Sequence, residues 1–335
     1  MLKRIKIKNF LGCEFVEMPL GSRNLIWGGI GSGKTSFARA CLALKMVANG
    51  AGVDYVGGGF WGRMAPSEIS VDIQLPDGRI ATYEIVVQQR VGLAAEILHE
   101  RLFCGGMQLL NRVDRQCDYS PLAAQNSNEV LSPIRYNVQA GGFVLPTITA
   151  TSPDDPFSFV SSFLKRMVVM APDPALMTGA VIANNSPIDL TCSQFASRLT
   201  AQQSSTPVLY GAFMMNLCSM VKTVQGLSVQ PDGRGGSFLV VHRHGGNLIQ
   251  NFADISSGEK IAMLAAAMRA LNVVVKPICC IWDSPMNFIG GHFGEKMIDD
   301  FLRDFSDRGQ IIFLLPERLG KQWDDIKEMS GGKIS

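Results

Sequence analysis

Residues Asn24 to Ser36 read NLIWGGIGSGKTS, and this stretch decides the fold. Gly28, Gly33, Lys34 and Thr35 match the phosphate-binding pattern GxxxxGK(S/T) without a mismatch. Glycines let such a loop fold back until successive backbone N–H groups point at a phosphate, and the helix that follows adds its positive end. The lysine then reaches the β and γ phosphates, and the threonine hydroxyl ligates Mg²⁺. The pattern predicts a nucleotide-binding P-loop.

The residues on either side of the loop support this interpretation. Leu25 to Trp27 have the pattern of a buried strand, and Phe37 to Val47 have the apolar spacing of a helix. A glycine-rich turn without a ligand is the simpler alternative. A dinucleotide fingerprint is excluded, because the glycines do not fall as GxGxxG. The residues predicted to bind ATP are Gly28, Gly29, Ile30, Gly31, Ser32, Gly33, Lys34, Thr35 and Ser36.

Composition narrows the class of protein. The chain has 335 residues, a hydrophobic fraction of 47%, a charged fraction of 18% and a net charge of +2, which are typical of a folded globular protein. No apolar run reaches the roughly 18 residues that span a bilayer, and the start MLKRIKIKNF lacks the apolar core of a signal peptide. The eight cysteines are scattered without a CxxC pair, which favours reduced, buried thiols. We therefore expect a cytoplasmic protein with no membrane contact.

The first ninety residues have strand patterns around the loop. Residues 3–10 and 14–18 predict an antiparallel pair, and the alternation of apolar and basic residues at the start is typical of an edge strand. Residues 68–75 and 80–89 alternate around PDGR, which predicts a hairpin. The basic run MLKRIKIK is either this charged edge or a DNA contact.

The middle of the chain has weaker signals. Residues 93–103 and 157–170 have helical spacing, and 104–156 are predicted to be mostly irregular. Helical spacing returns at 193–221, and an antiparallel ribbon is predicted at 227–252.

The final third predicts parallel strands joined by helices. The predicted elements are a helix at 259–272, a strand at 278–282, a helix at 294–307 and a strand at 310–315. The expected organisation is one two-lobed head over 1–335. Its predicted parts are a P-loop lobe with a β-hairpin at 1–90, a helical or irregular insertion at 91–210, and a C-terminal lobe at 211–335.

Two further motifs complete the predicted site. ICCIWD at 278–283 is an apolar strand that ends in Asp283, where a P-loop protein needs an acid to hold Mg²⁺, often through water. An aspartate that caps the turn before Pro285 is the alternative. Upstream, Ser256 or Ser257 can cap the helix that follows, and Gly258 lets a ligand approach the first amides of that helix.

In this order, the motifs resemble those of the ABC-type ATPases of the SMC, RecF and OLD group. The resemblance rests on IKIKNF, NLIWGGIGSGKTS, the hairpin at 68–89, SSGEK at 256–260 and DSPMN at 283–287. It implies an α/β P-loop NTPase of the ABC/SMC-head type, with a mixed sheet, an antiparallel β subdomain and a helical insertion. It also implies ATP and Mg²⁺ as cofactors.

In such proteins ATP binds between two heads. The signature Ser256, Ser257, Gly258 and Glu259 would then contact the γ-phosphate bound by the second subunit. Residues 90–210 show no sustained heptads, so the chain resembles the compact members without coiled-coil arms. These members are often paired with a nuclease, in DNA repair or anti-phage defence. The resemblance therefore implies an ATP-dependent dimer or higher oligomer and an effector partner such as a nuclease, with DNA as a further candidate ligand.

Two departures from the family pattern concern hydrolysis. The family places a glutamate after the acidic strand to polarise the attacking water, and this chain has Ser284 there. A serine is a poor general base near neutral pH. The strand QIIFLL is expected to end in a histidine that senses the γ-phosphate, but Pro316 and Glu317 follow it instead. These departures predict slow hydrolysis, a substitute acid such as Glu317, or the use of ATP mainly for assembly.

Three functions remain open on the sequence. The first is an ATPase that dimerises around ATP and drives or licenses a partner that acts on DNA. The second is a non-hydrolysing, ATP-dependent assembly module. The third is a small-molecule kinase that shares only the P-loop, although kinases lack an SSGE signature at this distance before the acid.

Overall fold

The computed structural model describes residues 1–56, 65–89, 94–120, 122–123, 126–130, 132–148, 155–182, 190–245, 248–275, 278–305, 309–316, 326–330 and 333–334. These residues form two compact units. The first unit comprises Met1–Met167 and Pro316–Ser335, and the second comprises Val168–Leu315. The predicted segments 1–90, 91–210 and 211–335 have other boundaries, and their roles as lobes and insertion stay a prediction.

The strands of the first unit are β1 (Leu2–Phe10), β2 (Cys13–Pro19), β3 (Arg23–Trp27), β4 (Ser67–Gln74), β5 (Ile80–Gln88), β6 (Glu96–Cys104), β7 (Met107–Val113), β8 (Gln116–Tyr119), β9 (Leu122–Ala123), β10 (Asn126–Val130), β11 (Ile134–Asn137), β19 (Ile326–Ser330) and β20 (Lys333–Ile334). Its helices are α1 (Lys34–Ala48), α2 (Val53–Val56) and α3 (Pro156–Arg166).

The strands of the second unit are β12 (Val168–Met170), β13 (Ala180–Val181), β14 (Val224–Pro231), β15 (Ser237–Arg243), β16 (Ile249–Asn251), β17 (Ile278–Asp283) and β18 (Gly309–Leu315). Its helices are α4 (Phe195–Ser205), α5 (Pro207–Met220), α6 (Ser257–Val274) and α7 (Gly291–Asp304). Among the described residues, no helix combines the length and the apolar character needed to cross a membrane.

An eight-stranded antiparallel sheet dominates the first unit, in the order β11-β8-β7-β6-β5-β4-β1-β2. The predicted hairpin is confirmed as β4 and β5, and the predicted pair at the start of the chain as β1 and β2. The prediction that β1 is an edge strand is wrong, because β1 pairs with β2 on one side and with β4 on the other.

Acidic residues of the neighbouring strands pair with two of the basic residues of β1. Arg4 forms ion pairs with Glu17 at 2.5 Å and with Asp72 at 2.7 Å, and Lys6 pairs with Glu68 at 2.5 Å. The alternation of charge in MLKRIKIK therefore reflects cross-strand pairing within a sheet. This pairing reduces the positive potential of the run at Arg4 and Lys6.

The predicted helix at 93–103 is wrong, because Glu96–Cys104 is the strand β6. Two features obscure the alternation of buried and exposed residues along β6. A bulge at Leu98 shifts the register against β5. The charged residue Glu100 also occupies an inward-facing position with no exposed surface. Part of the segment predicted to be irregular likewise forms strands, β7, β8 and β11 among them.

The nucleotide motif lies beside a parallel strand pair of the first unit. β3 runs parallel to β19, with Leu25 opposite Ile326. Leu25 and Ile26 are buried, and the helix α1 that follows packs against α3. The buried ammonium of Lys45, near the end of α1, donates to the backbone oxygen of Met167 at 2.5 Å. The strand and helix predicted around the loop are confirmed.

The second unit contains a parallel group and an antiparallel ribbon. β12, β17 and β18 run parallel in that order, and β14, β15 and β16 form the ribbon predicted at 227–252. Trp282 of β17 is fully buried, with its ring centroid 5.8 Å from that of Phe301 and 6.2 Å from that of Phe313. The predicted order of helix, strand, helix and strand in the final third is confirmed as α6, β17, α7 and β18.

Candidate nucleotide site

Gly28 opens the phosphate loop directly after β3, at a position where only glycine fits. A Cβ atom at Gly28 would lie 2.2 Å from the backbone oxygen of Met329 and 2.6 Å from Ser32 Oγ. No real Cβ makes contacts this short. The glycine that the motif requires here therefore allows the loop to pack closely against β19.

The loop ends where α1 begins. Gly33 is the N-cap residue of α1, with a left-handed φ of 101°, which is a conformation that glycine adopts at no steric cost. The first turn of α1 has no acidic residue, and no described side chain caps it. The dipole of α1 therefore favours an anion at this end of the helix.

The Lys34 ammonium lies against the loop. Its Nζ donates to the backbone oxygens of Gly28 at 2.5 Å and Gly29 at 2.9 Å, and to Ser32 Oγ at 3.1 Å. The lysine thus projects its charge toward the inside of the loop, where the motif predicts a phosphate.

The other loop residues differ in exposure. Ser32 and Ser36 are buried, at 5% and 9% exposure, while Thr35 is exposed. The side chain of Ile30 is fully exposed, so its predicted contribution to ATP binding is limited to its backbone. A hydroxyl at Thr35 and a carboxylate at Asp283 are hard oxygen donors of the kind that Mg²⁺ takes alongside phosphate oxygens and water.

The signature residues lie at the start of α6 in the second unit. Ser256 is the N-cap: its hydroxyl accepts from the Glu259 amide at 3.3 Å, and the Glu259 carboxylate accepts from the Ser256 amide at 3.2 Å. This reciprocal pair is a capping box. Ser257 is exposed, and a Cβ at Gly258 would lie 3.3 Å from the backbone oxygen of Phe288. The predicted cap at Ser256 is confirmed.

Glu259 is held by Arg243 as well as by the cap. The Arg243 guanidinium forms an ion pair with both carboxylate oxygens, and also donates to Gln250 Oε1 at 2.7 Å. The hydrogen bonds from Arg243, with those of Ser256, hold the pKa of Glu259 below its usual value against the opposing effect of burial. Glu259 therefore stays ionised and orients the start of α6. Sequence spacing gave no signal for Arg243, which comes from the ribbon strand β15.

Lys260, the last residue of the SSGEK motif, has a structural position. Its ammonium is buried and donates to the backbone oxygens of Pro174 and Ala253, both at 3.0 Å. It also lies 5.6 Å from the ring centroid of Phe252. Burial lowers the pKa of Lys260. This lysine fastens the start of α6 to the rest of its unit.

Asp283 is the last residue of β17, as predicted, and is only 5% exposed. Ser284 follows it, and the Ser284 hydroxyl donates to Asp283 Oδ1 at 3.0 Å. Pro316 directly follows the end of β18, as predicted, and Glu317 lies outside the described residues. Among the residues that the structure describes, no three His, Cys, Asp or Glu side chains form a metal cluster. A Mg²⁺ ion carried by a nucleotide does not require one.

No protein-family model and no curated protein sequence matches the chain. Solved structures match it along its whole length. An SMC head bound to the C-winged helix domain of ScpA is 12% identical, with 100% of this chain and 97% of that chain covered and a TM-score of 0.55. The SMC head of Pyrococcus furiosus, bound to the C-terminal domain of ScpA, is 12% identical, with 99% and 94% covered and a TM-score of 0.53.

The recombination mediator RecF with ATP is similar to the same extent. It is 9% identical, with 100% of this chain and 96% of that chain covered and a TM-score of 0.53. The predicted fold class is confirmed by these likenesses. The chain has the α/β fold of the SMC head and of RecF.

Proposed function

We propose that this protein is an ABC-type ATP-binding protein that dimerises around ATP and drives or licenses a partner, such as a nuclease, in DNA repair or anti-phage defence. The observation that carries the proposal is the phosphate loop. The Lys34 ammonium lies against the loop beside the start of α1, where the first turn has no acidic residue. Both the ammonium and the helix end attract a polyphosphate.

Binding follows from the chemistry of the loop. A bound phosphate would replace the loop oxygens of Gly28 and Gly29 as the acceptors of Lys34, and would receive hydrogen bonds from the loop amides. Thr35 and Asp283 would hold the Mg²⁺ that arrives with the nucleotide, Asp283 through water. The ion would neutralise part of the phosphate charge. RecF, which shares the fold, was solved with ATP, and this supports ATP as the nucleotide.

The signature supports a nucleotide shared between two copies. Ser256 and Ser257 are exposed at the start of α6, where a helix N-terminus favours an anion. In the proposed dimer these residues would contact the γ-phosphate bound by the second copy. The SMC heads with this fold were solved with domains of ScpA, which supports a protein partner here too.

A non-hydrolysing assembly module is the second candidate. The observation that favours it is the bond between the Ser284 hydroxyl and Asp283, because a serine so engaged is no general base. If the protein hydrolyses ATP, either the reaction is slow or a substitute acid such as Glu317 replaces the missing glutamate. The two candidates share ATP-dependent assembly and differ in turnover.

The substitution Lys34→Ala tests the binding site. Charge-assisted hydrogen bonds contribute about 1.5–3 kcal/mol each, so its loss is expected to lower ATP affinity by about 10- to 100-fold and to abolish turnover. Lys165→Ala, at an exposed lysine of α3, is the matched control and is expected to bind ATP like the wild type. ATP turnover that survives Lys34→Ala would refute the proposal.

Native mass spectrometry separates the two candidates. The ATPase is expected to release ADP and phosphate, faster with DNA or a partner present, whereas the assembly module is expected to give dimers or higher oligomers that retain intact ATP. A protein that stays monomeric with bound ATP would contradict both. Transfer of the γ-phosphate to a small molecule in a substrate screen would indicate the kinase instead.

A further inference from the structure

Ser284 has an unusual backbone conformation. Its φ is 55°, in the left-handed region that non-glycine residues rarely adopt. The next residue is Pro285, and a residue before proline normally prefers an extended backbone. A left-handed conformation at such a residue costs about 1–3 kcal/mol and persists only where the surroundings hold it.

Hydrogen bonds hold Ser284 on both sides. Its amide donates to the backbone oxygen of Leu314, on the neighbouring strand β18, at 2.8 Å. Its carbonyl accepts from the Asn287 amide at 3.2 Å, which closes a turn with Pro285 in second position. In this conformation the hydroxyl points back to the preceding residue and donates to Asp283 Oδ1 at 3.0 Å. That carboxylate is 5% exposed, so little water competes for it.

We infer that Ser284 is a positioning residue, whose hydroxyl fixes the Asp283 carboxylate in the orientation that serves the Mg²⁺ of a bound nucleotide. The inference rests on the proposed function, because it assigns Asp283 to the ion. In this role Ser284 acts through Asp283. Removing such an orienting hydrogen bond typically lowers metal affinity by about 10- to 100-fold.

The same geometry argues against reading Ser284 as a lost glutamate. A glutamate here would keep the cost of the left-handed backbone and remove the hydroxyl that Asp283 accepts from. It would also add a second negative charge beside the first. The site as built therefore suits a short donor, and Ser284→Glu is expected not to accelerate ATP hydrolysis.

Two substitutions distinguish the effect of the Ser284 hydroxyl on Asp283 from the effect of backbone strain at Ser284. Ser284→Ala removes the hydroxyl and keeps the strain, whereas Ser284→Gly removes both. Both variants are expected to need about tenfold more Mg²⁺ for half-maximal binding of a fluorescent ATP analogue, while binding with EDTA is unchanged. Without nucleotide, only Ser284→Gly is expected to melt at a higher temperature than the wild type. Ser219→Ala removes an exposed hydroxyl of α5 in the same unit and is the matched control.

Each possible result with these variants either supports the inference or overturns it. If Ser284→Gly binds Mg²⁺ with the ATP analogue as tightly as the wild type, the hydroxyl has no positioning role and the inference is overturned. Faster ATP hydrolysis by Ser284→Glu than by the wild type would contradict it too. A wild type that binds no nucleotide would overturn the proposed function and this inference with it. Wild-type binding with unchanged Mg²⁺ dependence in both variants would overturn this inference alone.

Discussion

Breaking a buried ion pair at the centre of the antiparallel sheet is expected to cost a large and measurable amount of stability. Glu100 and Arg112 have no exposed surface, and their charged groups lie 3.7 Å apart. The Glu100 carboxylate also accepts from the Tyr83 hydroxyl at 2.9 Å and from the amides of Val144 at 2.7 Å and Leu145 at 2.8 Å. The cluster is therefore well satisfied by hydrogen bonds, as buried charges must be.

Arg112 uses its remaining donors on backbone oxygens. It donates to Asp114 at 2.7 Å, to Gln139 and Ala140 at 3.0 Å each, and to Gly142. The pair thus fastens the segment 139–145 to the sheet through both of its members.

Removing one member leaves the other buried without an opposite charge. Glu100→Leu leaves the buried Arg112 charge without its counter-ion, and the Tyr83 hydroxyl and two amides without their acceptor; breaking a buried pair in this way costs about 3–5 kcal/mol. For a unit of this size each 1 kcal/mol lowers the melting temperature by about 2–4 °C, so a fall of about 10 °C is expected. Arg112→Met is expected to cost a similar amount. The double variant is expected to cost clearly less than the sum, because the two residues interact.

Thermal unfolding of the single and double variants, followed by calorimetry, measures this coupling. Arg135→Met, which breaks the exposed ion pair with Asp118, is the control and is expected to leave the melting temperature unchanged. Additive effects of Glu100→Leu and Arg112→Met, or falls of less than about 2 °C in each, would refute the reasoning.

The same cluster has a pH dependence of defined sign. Burial raises the pKa of the Glu100 carboxyl above its usual 4.5, although the bonds from Leu145, Val144 and Tyr83 and the charge of Arg112 oppose the shift. A raised pKa means that the folded state binds the proton more tightly than the unfolded state. The resulting stabilisation is complete below the usual pKa and is lost as the pH rises through the raised one. The wild type is therefore expected to lose stability relative to Glu100→Gln across this range, and a constant difference would contradict the assignment.

Two further substitutions test the site. Gly28→Ala puts a Cβ 2.2 Å from the Met329 oxygen, and this overpacking, of about 1–3 kcal/mol, is expected to weaken ATP binding by about 10- to 100-fold. Gly211→Ala, whose Cβ meets open space, is the control. Equal ATP binding by the two variants would contradict the close approach of the loop to Met329. Glu259→Gln removes the carboxylate that Arg243 and the cap hold, and a loss of about 1 kcal/mol is expected at pH 7 in thermal unfolding. Because the pKa of Glu259 is lowered in the folded state, the stabilisation that its carboxylate gives is present above the usual pKa and is lost as the pH falls through the lowered one. A difference in melting temperature between Glu259→Gln and the wild type that persists in acid would contradict this role of the carboxylate.

The parts of the fold that the sequence predicts are those with local signals. The glycine spacing around Lys34, the alternation of β4 and β5 around a turn, and the cap at Ser256 each depend on residues within a few positions of one another. The sheet beyond β5 was not predicted, because a charge occupies a core position at Glu100 and a bulge at Leu98 interrupts the alternation.

The candidate site likewise has a part that the sequence predicts and a part that it does not. The chemistry of the phosphate loop follows from residue types and spacing, so its prediction needed no tertiary information. The ion pair of Arg243 with Glu259 joins residues that are distant along the chain. The left-handed backbone of Ser284 departs from the extended conformation that a residue before proline prefers. Neither can be read from spacing, since each depends on which distant parts of the chain are brought together.

The two candidate functions differ only in how long each bound ATP persists before it is hydrolysed. Enzymes commonly turn over at about 10 per second, and loss of a general base typically costs about 100- to 10,000-fold. If the protein hydrolyses ATP without a general base, the rate would therefore be about 0.1 to 0.001 per second, and each ATP would persist for about 10 to 1,000 seconds. A dimer closed around ATP for that long serves as an assembly even if it hydrolyses in the end. Turnover must accordingly be measured over many minutes at near-stoichiometric protein, because a short assay at catalytic concentration would mistake slow release for none.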